Sequence, residues 1–173
     1  TLLVDERPLH EAGNVPECLA VTGGPGLGKS VFLRKLAYLV GVHCETATKE
    51  QRWGSESPLL PLIVPASSMA RILFAKPDVT PEELFSDIAV GIKPRFLQVL
   101  KPAFDMRRVA ILVEGLEEAS QSRAQLSAML LKFQEMGHPV VATSRPEGLY
   151  AQQLEEYMAL LPGEGSSAPV SVQ

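Results

Sequence analysis

Cysteine is scarce in this sequence: Cys18, inside an apolar run, and Cys44, beside His43, are the only two among 173 residues. So placed, they make neither a disulfide framework nor the ligand spacing of a zinc site, and both are read as reduced thiols of a cytoplasmic protein. Long apolar runs are missing as well. No stretch approaches the roughly 18 to 20 residues that span a bilayer, and the N-terminus lacks the charged and apolar regions of a signal peptide, so no membrane partner is expected. Basic clusters are also wanting. With a formal charge of −4 and no run of five or six like charges, the chain has no general attraction for a phosphate backbone, and nucleic acid is not expected as a partner.

What is present is an apolar content of 46% with 21% charged residues, the composition of one compact domain rather than a disordered tail. Short apolar runs alternate with longer segments of helical periodicity, which predicts a layered α/β fold around a mainly parallel sheet of four or five strands. Strands are expected at Cys18 to Thr22, Leu59 to Ala66, Val109 to Val113, Pro139 to Thr143 and Ala168 to Val172. Pro61 and Pro65, lacking N–H groups, point to strand ends or an edge position for the second of these. A helix from Lys29 to Val40 carries Phe32, Leu33, Leu36, Ala37 and Val40 on one side, and Cys44 to Pro58, with the lone Trp53, is expected to be a loop. Thr80, Pro81 and Glu83 form a capping box that opens a helix. A short helix around Arg95 to Leu100 is expected to end at Pro102, Ser122 and Gln125 to form another capping box, and Gly137 to end the helix that follows. A last helix is expected over Leu149 to Leu161, then a linker from Gly163 to Ser167. The chain starts at Thr1, without a methionine, and is expected to be a piece of a larger polypeptide.

The most specific segment is Gly23-Gly24-Pro25-Gly26-Leu27-Gly28-Lys29-Ser30, followed by Val31. It satisfies G-x-x-x-x-G-K-[ST] between an apolar strand and an amphipathic helix. Glycines let the backbone curl with its N–H groups inward around phosphates, where a Cβ would block the curl or the approach. The helix N-terminus adds about half a positive charge, Lys29 a mobile cation for the β- and γ-phosphates, and Ser30 a hydroxyl suited to magnesium. A dinucleotide loop would read G-x-G-x-x-G, whereas Gly24, Gly26 and Gly28 are spaced G-x-G-x-G with Lys-Ser behind them. Gly23 to Val31 are therefore the expected nucleotide contacts, with Mg-ATP or Mg-ADP as ligand.

Two further segments carry chemistry. Val109 to Val113 delivers Glu114 to the carboxyl end of a parallel strand, the edge where open α/β sheets bind ligands, and Glu117 and Glu118 follow. One acid there can hold magnesium, another can polarise the attacking water; the alternative is a solvated acidic helix start favoured by the dipole. Val140 to Pro146 ends in Thr143-Ser144-Arg145, a hydroxyl or guanidinium of which can sense a γ-phosphate. The plainer reading of Arg145 is a surface cation paired with Glu147 or another carboxylate.

Together and in this order, Gly-Gly-Pro-Gly-Leu-Gly-Lys-Ser, Val-Glu-Gly-Leu-Glu-Glu and Ala-Thr-Ser-Arg-Pro resemble the NACHT family of signal-transducing NTPases over nearly the whole chain. Glu114, Gly115, Glu117 and Glu118 match its acid, small residue and paired acids position by position, and Thr143 to Pro146 looks like its sensor turn. The resemblance implies a P-loop NTPase core, a three-layer α/β/α sandwich, acting as an ATP- or ADP-dependent switch with slow hydrolysis. Ser30 and Glu114 would hold the metal, and Glu117, Glu118 and Arg145 would serve turnover. It also implies effector and repeat-rich sensing domains as partners, a homo-oligomer on activation, and helical domains after the core. One departure stands out: the family usually has aspartate at the position of Glu114, which is one methylene longer and moves the carboxylate by about one carbon–carbon bond. That departure motivates a second expectation, a scaffold that holds nucleotide without turnover. A small GTPase would read guanine with Asn-Lys-x-Asp, and the single asparagine, Asn14, makes that reading poor.

Overall fold

The computed structural model describes residues 18–49, 58–146 and 171–172. The elements run β1 (Cys18–Gly23), α1 (Lys29–Lys49), β2 (Leu60–Pro65), α2 (Ala66–Ala75), α3 (Pro81–Ala89), α4 (Pro94–Asp105), β3 (Val109–Glu114), a 3-10 helix (Leu116–Ser122), α5 (Arg123–Glu135), β4 (Val140–Ser144) and β5 (Ser171–Val172). The five strands form one sheet of order β2-β3-β4-β1-β5, and every pairing is parallel. β2 therefore lies at an edge, where the missing N–H groups of Pro61 and Pro65 are tolerated. Expected elements over 149–161 and 163–167, residues 50–57 of the expected Trp53 loop, and residues 1–17 lie outside the described residues, whereas Cys44 to Lys49, expected to open that loop, are helical instead.

The connection from β1 to β2 runs toward one edge of the sheet, whereas those from β2 to β3 and β3 to β4 run the other way. Right-handed crossovers then require α1 on one face and α2 to α5 on the other. Burial agrees with this arrangement. Alternation along β3 sends Val109, Ile111 and Val113 into a core shared with Val140, Ala142, Met69, Leu84, Phe104, Leu126 and Phe133. Ala110 and Leu112, on the opposite face, are also buried, as are Leu33 and Ala47 of α1, which packs against β2, β3 and β4. A strand covered on both faces needs the unbroken apolar run that β3 has.

Several local expectations are corrected. Helix α1 does not stop at Val40 but continues to Lys49, because Leu33, Ala37, Val40, Cys44 and Ala47 keep helical spacing and only the outer face turns polar. Its Thr46 hydroxyl donates back to the Val42 carbonyl at 3.0 Å. Helix α2, which starts directly after Pro65 without a side-chain cap, has no terminus signal in the sequence. Helix α4 runs through Pro102 to Asp105; burial of Ala103 and Phe104 offsets the hydrogen bond that the proline cannot donate. The second capping box does not form. Ser122 arrives from a 3-10 helix at φ −91° and ψ 12°, and its side chain caps nothing. The box at Thr80 and Glu83 does form, with both reciprocal bonds at 3.2 and 2.9 Å. Gly137 ends α5 at φ +94°, with its own N–H donating to Gln134 and that of His138 to Phe133, the 5→2 and 6→1 pair of a Schellman motif.

His138 then inserts into the core with 0% exposure. Its ring stacks on Phe104 at 4.4 Å, and Phe104 stacks on Phe85 at 3.9 Å. Nδ1 donates to the Val109 carbonyl at 3.2 Å, and Nε2 has no partner. Burial pushes the imidazole pKa below its ordinary 6.5, aided by Arg107 and opposed by the Val109 carbonyl and Glu82. Below about pH 6.5 the unfolded chain takes up a proton that the folded chain refuses, so stability falls as pH falls, by about 1.4 kcal/mol per pH unit until the lowered folded value is reached. Urea unfolding at a series of pH values checks this; His138→Asn is expected to flatten the slope between pH 6.5 and 5.

Candidate phosphate-binding site

The segment between β1 and α1 is built by backbone conformation. Gly26 and Gly28 sit at φ +78° and +81°, in the left-handed region where an L side chain costs about 1–2 kcal/mol. No atom lies within 4 Å of a Cβ built on either, so conformation, not crowding, selects glycine there. Leu27 N–H donates to the Gly24 carbonyl at 3.4 Å, and Phe32 N–H to Gly28 at 2.8 Å, which closes the first turn of α1. The Lys29 ammonium folds back over the loop and donates to the Gly23 and Gly24 carbonyls at 2.6 and 2.9 Å. A cation, a curled glycine backbone and a helix N-terminus thus converge, the arrangement that favours an anion. Ser30 is half-buried on the first turn of the helix, whereas Leu27 and Val31 are 46% and 67% exposed.

Strand register brings the other segments to the same edge. Thr22 lies opposite Ser144, so Arg145 emerges beside Gly23; Val113 lies opposite Ala142, so Glu114, the last residue of β3, comes out beside Thr143. β4 separates β1 from β3, and two strand spacings set the loop and Glu114 roughly 10 Å apart across the sheet.

Two ties join the segments that follow β3 and β4. Gly115 N–H donates to Thr143 Oγ1 at 3.2 Å. Glu117 takes Arg145 with both oxygens: Oε2 accepts the main-chain N–H at 3.1 Å, and Oε1 lies 3.3 Å from Nε. The carboxylate anticipated for Arg145 is thus Glu117, from the 3-10 helix that follows β3, while Glu147 lies outside the described residues. Thr143 is buried and committed to Gly115, so the guanidinium, not that hydroxyl, faces outward from the turn. Gly115 has φ +74°, and a Cβ there would lie 3.3 Å from the Glu118 carboxyl group. Its carbonyl accepts the Glu118 N–H at 2.9 Å, which folds exposed Glu118 back over the turn. The role of Gly115 was legible only as a glycine between acids after a strand.

No group of three or more His, Cys, Asp or Glu side chains that could hold a metal occurs among the described residues. Magnesium held here would take Ser30 and Glu114 as its donors from this chain, both hard oxygens, and leave its other positions to phosphate and water, as that ion prefers. A surface depression lies elsewhere, lined by Lys76, Asp78, Glu82 and Asp87 between α2 and α3, and is crossed by a Lys76–Asp87 ion pair at 2.6 Å. Among the described residues, no helix is long and apolar enough to cross a membrane. The chain matches no family model and no curated protein.

Proposed function

We propose that this chain binds Mg-ATP or Mg-ADP at Gly23 to Val31 and works as the nucleotide switch of a P-loop signalling ATPase of the NACHT kind. The observation that carries the reading is the left-handed glycine loop, with Lys29 folded over its carbonyls, at the same sheet edge as Glu114, Glu117 and Arg145. Loop N–H groups and the α1 N-terminus hold phosphate oxygens, and Lys29 exchanges the two carbonyls for the β- and γ-phosphates. Ser30 and Glu114 orient magnesium, which when bound neutralises phosphate charge. Glu118, exposed on the turn, polarises water in this reading, and Arg145 meets the terminal phosphate. In this reading the core works in the cytoplasm between effector and repeat-rich sensing domains and assembles with copies of itself when triphosphate is bound.

Thermal unfolding with and without Mg-ATP, with Lys29→Ala alongside, tests the binding: a midpoint raised in the wild type alone supports it, and an unchanged wild type overturns it. The length of Glu114 favours a second reading, a scaffold that holds nucleotide without turnover. Single-turnover release of γ-phosphate separates the two. The switch reading expects slow release from the wild type, and the scaffold reading expects release only after Glu114→Asp.

A further inference from the structure

We infer that Glu117 is not the residue that polarises water but a positioning residue that competes with a bound terminal phosphate for Arg145; this rests on the nucleotide-binding reading above. A water-polarising carboxylate needs an oxygen directed at the water, and both oxygens of Glu117 are turned to Arg145. The two contacts differ in kind. The bond from the Arg145 main-chain N–H fixes where the turn after β4 lies, and it survives any movement of the guanidinium. The contact to Nε at 3.3 Å involves side chains 52% and 21% exposed, an ion pair weak enough in solvent for a more highly charged anion to displace. Arg145 stands beside Gly23, where β1 enters the glycine loop. Its guanidinium therefore has two anions within its compass: the Glu117 carboxylate, always present, and the outermost phosphate of a triphosphate. A diphosphate, one group shorter, does not enter the competition. Glu117 thereby sets the preference for triphosphate over diphosphate, and Glu118 is left for the water.

The test is calorimetric titration of the whole chain with a non-hydrolysable Mg-ATP analogue and with Mg-ADP. In Glu117→Gln the amide oxygen still accepts the Arg145 N–H while the ionic competition is gone. Affinity for the ATP analogue is expected to rise about two- to five-fold, with affinity for ADP unchanged. Arg145→Gln is expected to weaken the ATP analogue alone, and Glu117→Gln added to Arg145→Gln to change nothing further, because the latch acts only through the guanidinium. Should Glu117→Gln lose cooperative unfolding, Glu117→Asp, which draws the carboxylate back from Nε, is expected to give the same sign. Equal changes for both nucleotides, or tightening that persists in the Arg145→Gln background, would show general structural or charge effects and overturn the inference. A wild-type chain that binds neither nucleotide overturns the nucleotide-binding reading itself.

Discussion

Mg-ATP at about 100 times its dissociation constant is expected to stabilise this chain by about 2.7 kcal/mol. For a chain of this length that corresponds to a rise of roughly 5 to 11 °C in the unfolding midpoint. The size follows from mass action, because a ligand that binds only the folded state withdraws it from the unfolding equilibrium. The unfolded chain has nothing comparable to offer, since the site exists only where Gly26 and Gly28 hold left-handed conformations at the start of α1. Lys29→Ala removes the one cation on the loop, whose bonds to the Gly23 and Gly24 carbonyls are part-buried, and leaves those carbonyls to water. That variant is expected to unfold near the wild-type midpoint without ligand and to lose most of the rise with it. A rise that survives in Lys29→Ala would place nucleotide elsewhere than this loop.

Phe104→Ala is expected to have a larger effect of opposite sign, a loss of about 3–5 kcal/mol, or roughly 6 to 20 °C in midpoint. Phe104 is 2% exposed and lies between two parallel rings, Phe85 on α3 and His138 before β4, with Phe133 edge-on at 6.1 Å. Its removal leaves a cavity where α3, α4, α5 and the sheet meet, forfeits two stacking contacts and opens a path for water to unpartnered His138 Nε2. Denaturant unfolding measures it. A cost below about 1 kcal/mol would mean that the surrounding helices collapse into the space, which close packing of Phe85 at 3.9 Å argues against.

Neither expectation comes equally from the sequence. The glycine loop, Glu114 and the capping box at Thr80 were legible because each rests on local chemistry: a glycine for a left-handed turn, an acid after an apolar run, a hydroxyl three residues before a glutamate. The continuation of α1 past Val40 and of α4 past Pro102 was not, since burial of Ala47 and Phe104 against elements distant in the chain outweighed the local signals for stopping. Helix α2 went unread because its start is fixed by β2 and the core beneath it, without a cap.

The sequence by itself determined the alternation of strands and helices, the glycine loop ahead of a helix, and the acids and arginine at strand ends, because periodicity and backbone stereochemistry act within a few residues. Only the tertiary structure decided the strand order, with β4 set between β1 and β3, and with it the pairing of Glu117 with Arg145 across 28 residues of chain. That pairing depends on which strands lie side by side, a choice made by the joint burial of faces from the whole sheet and its helices, which no local run of residues encodes.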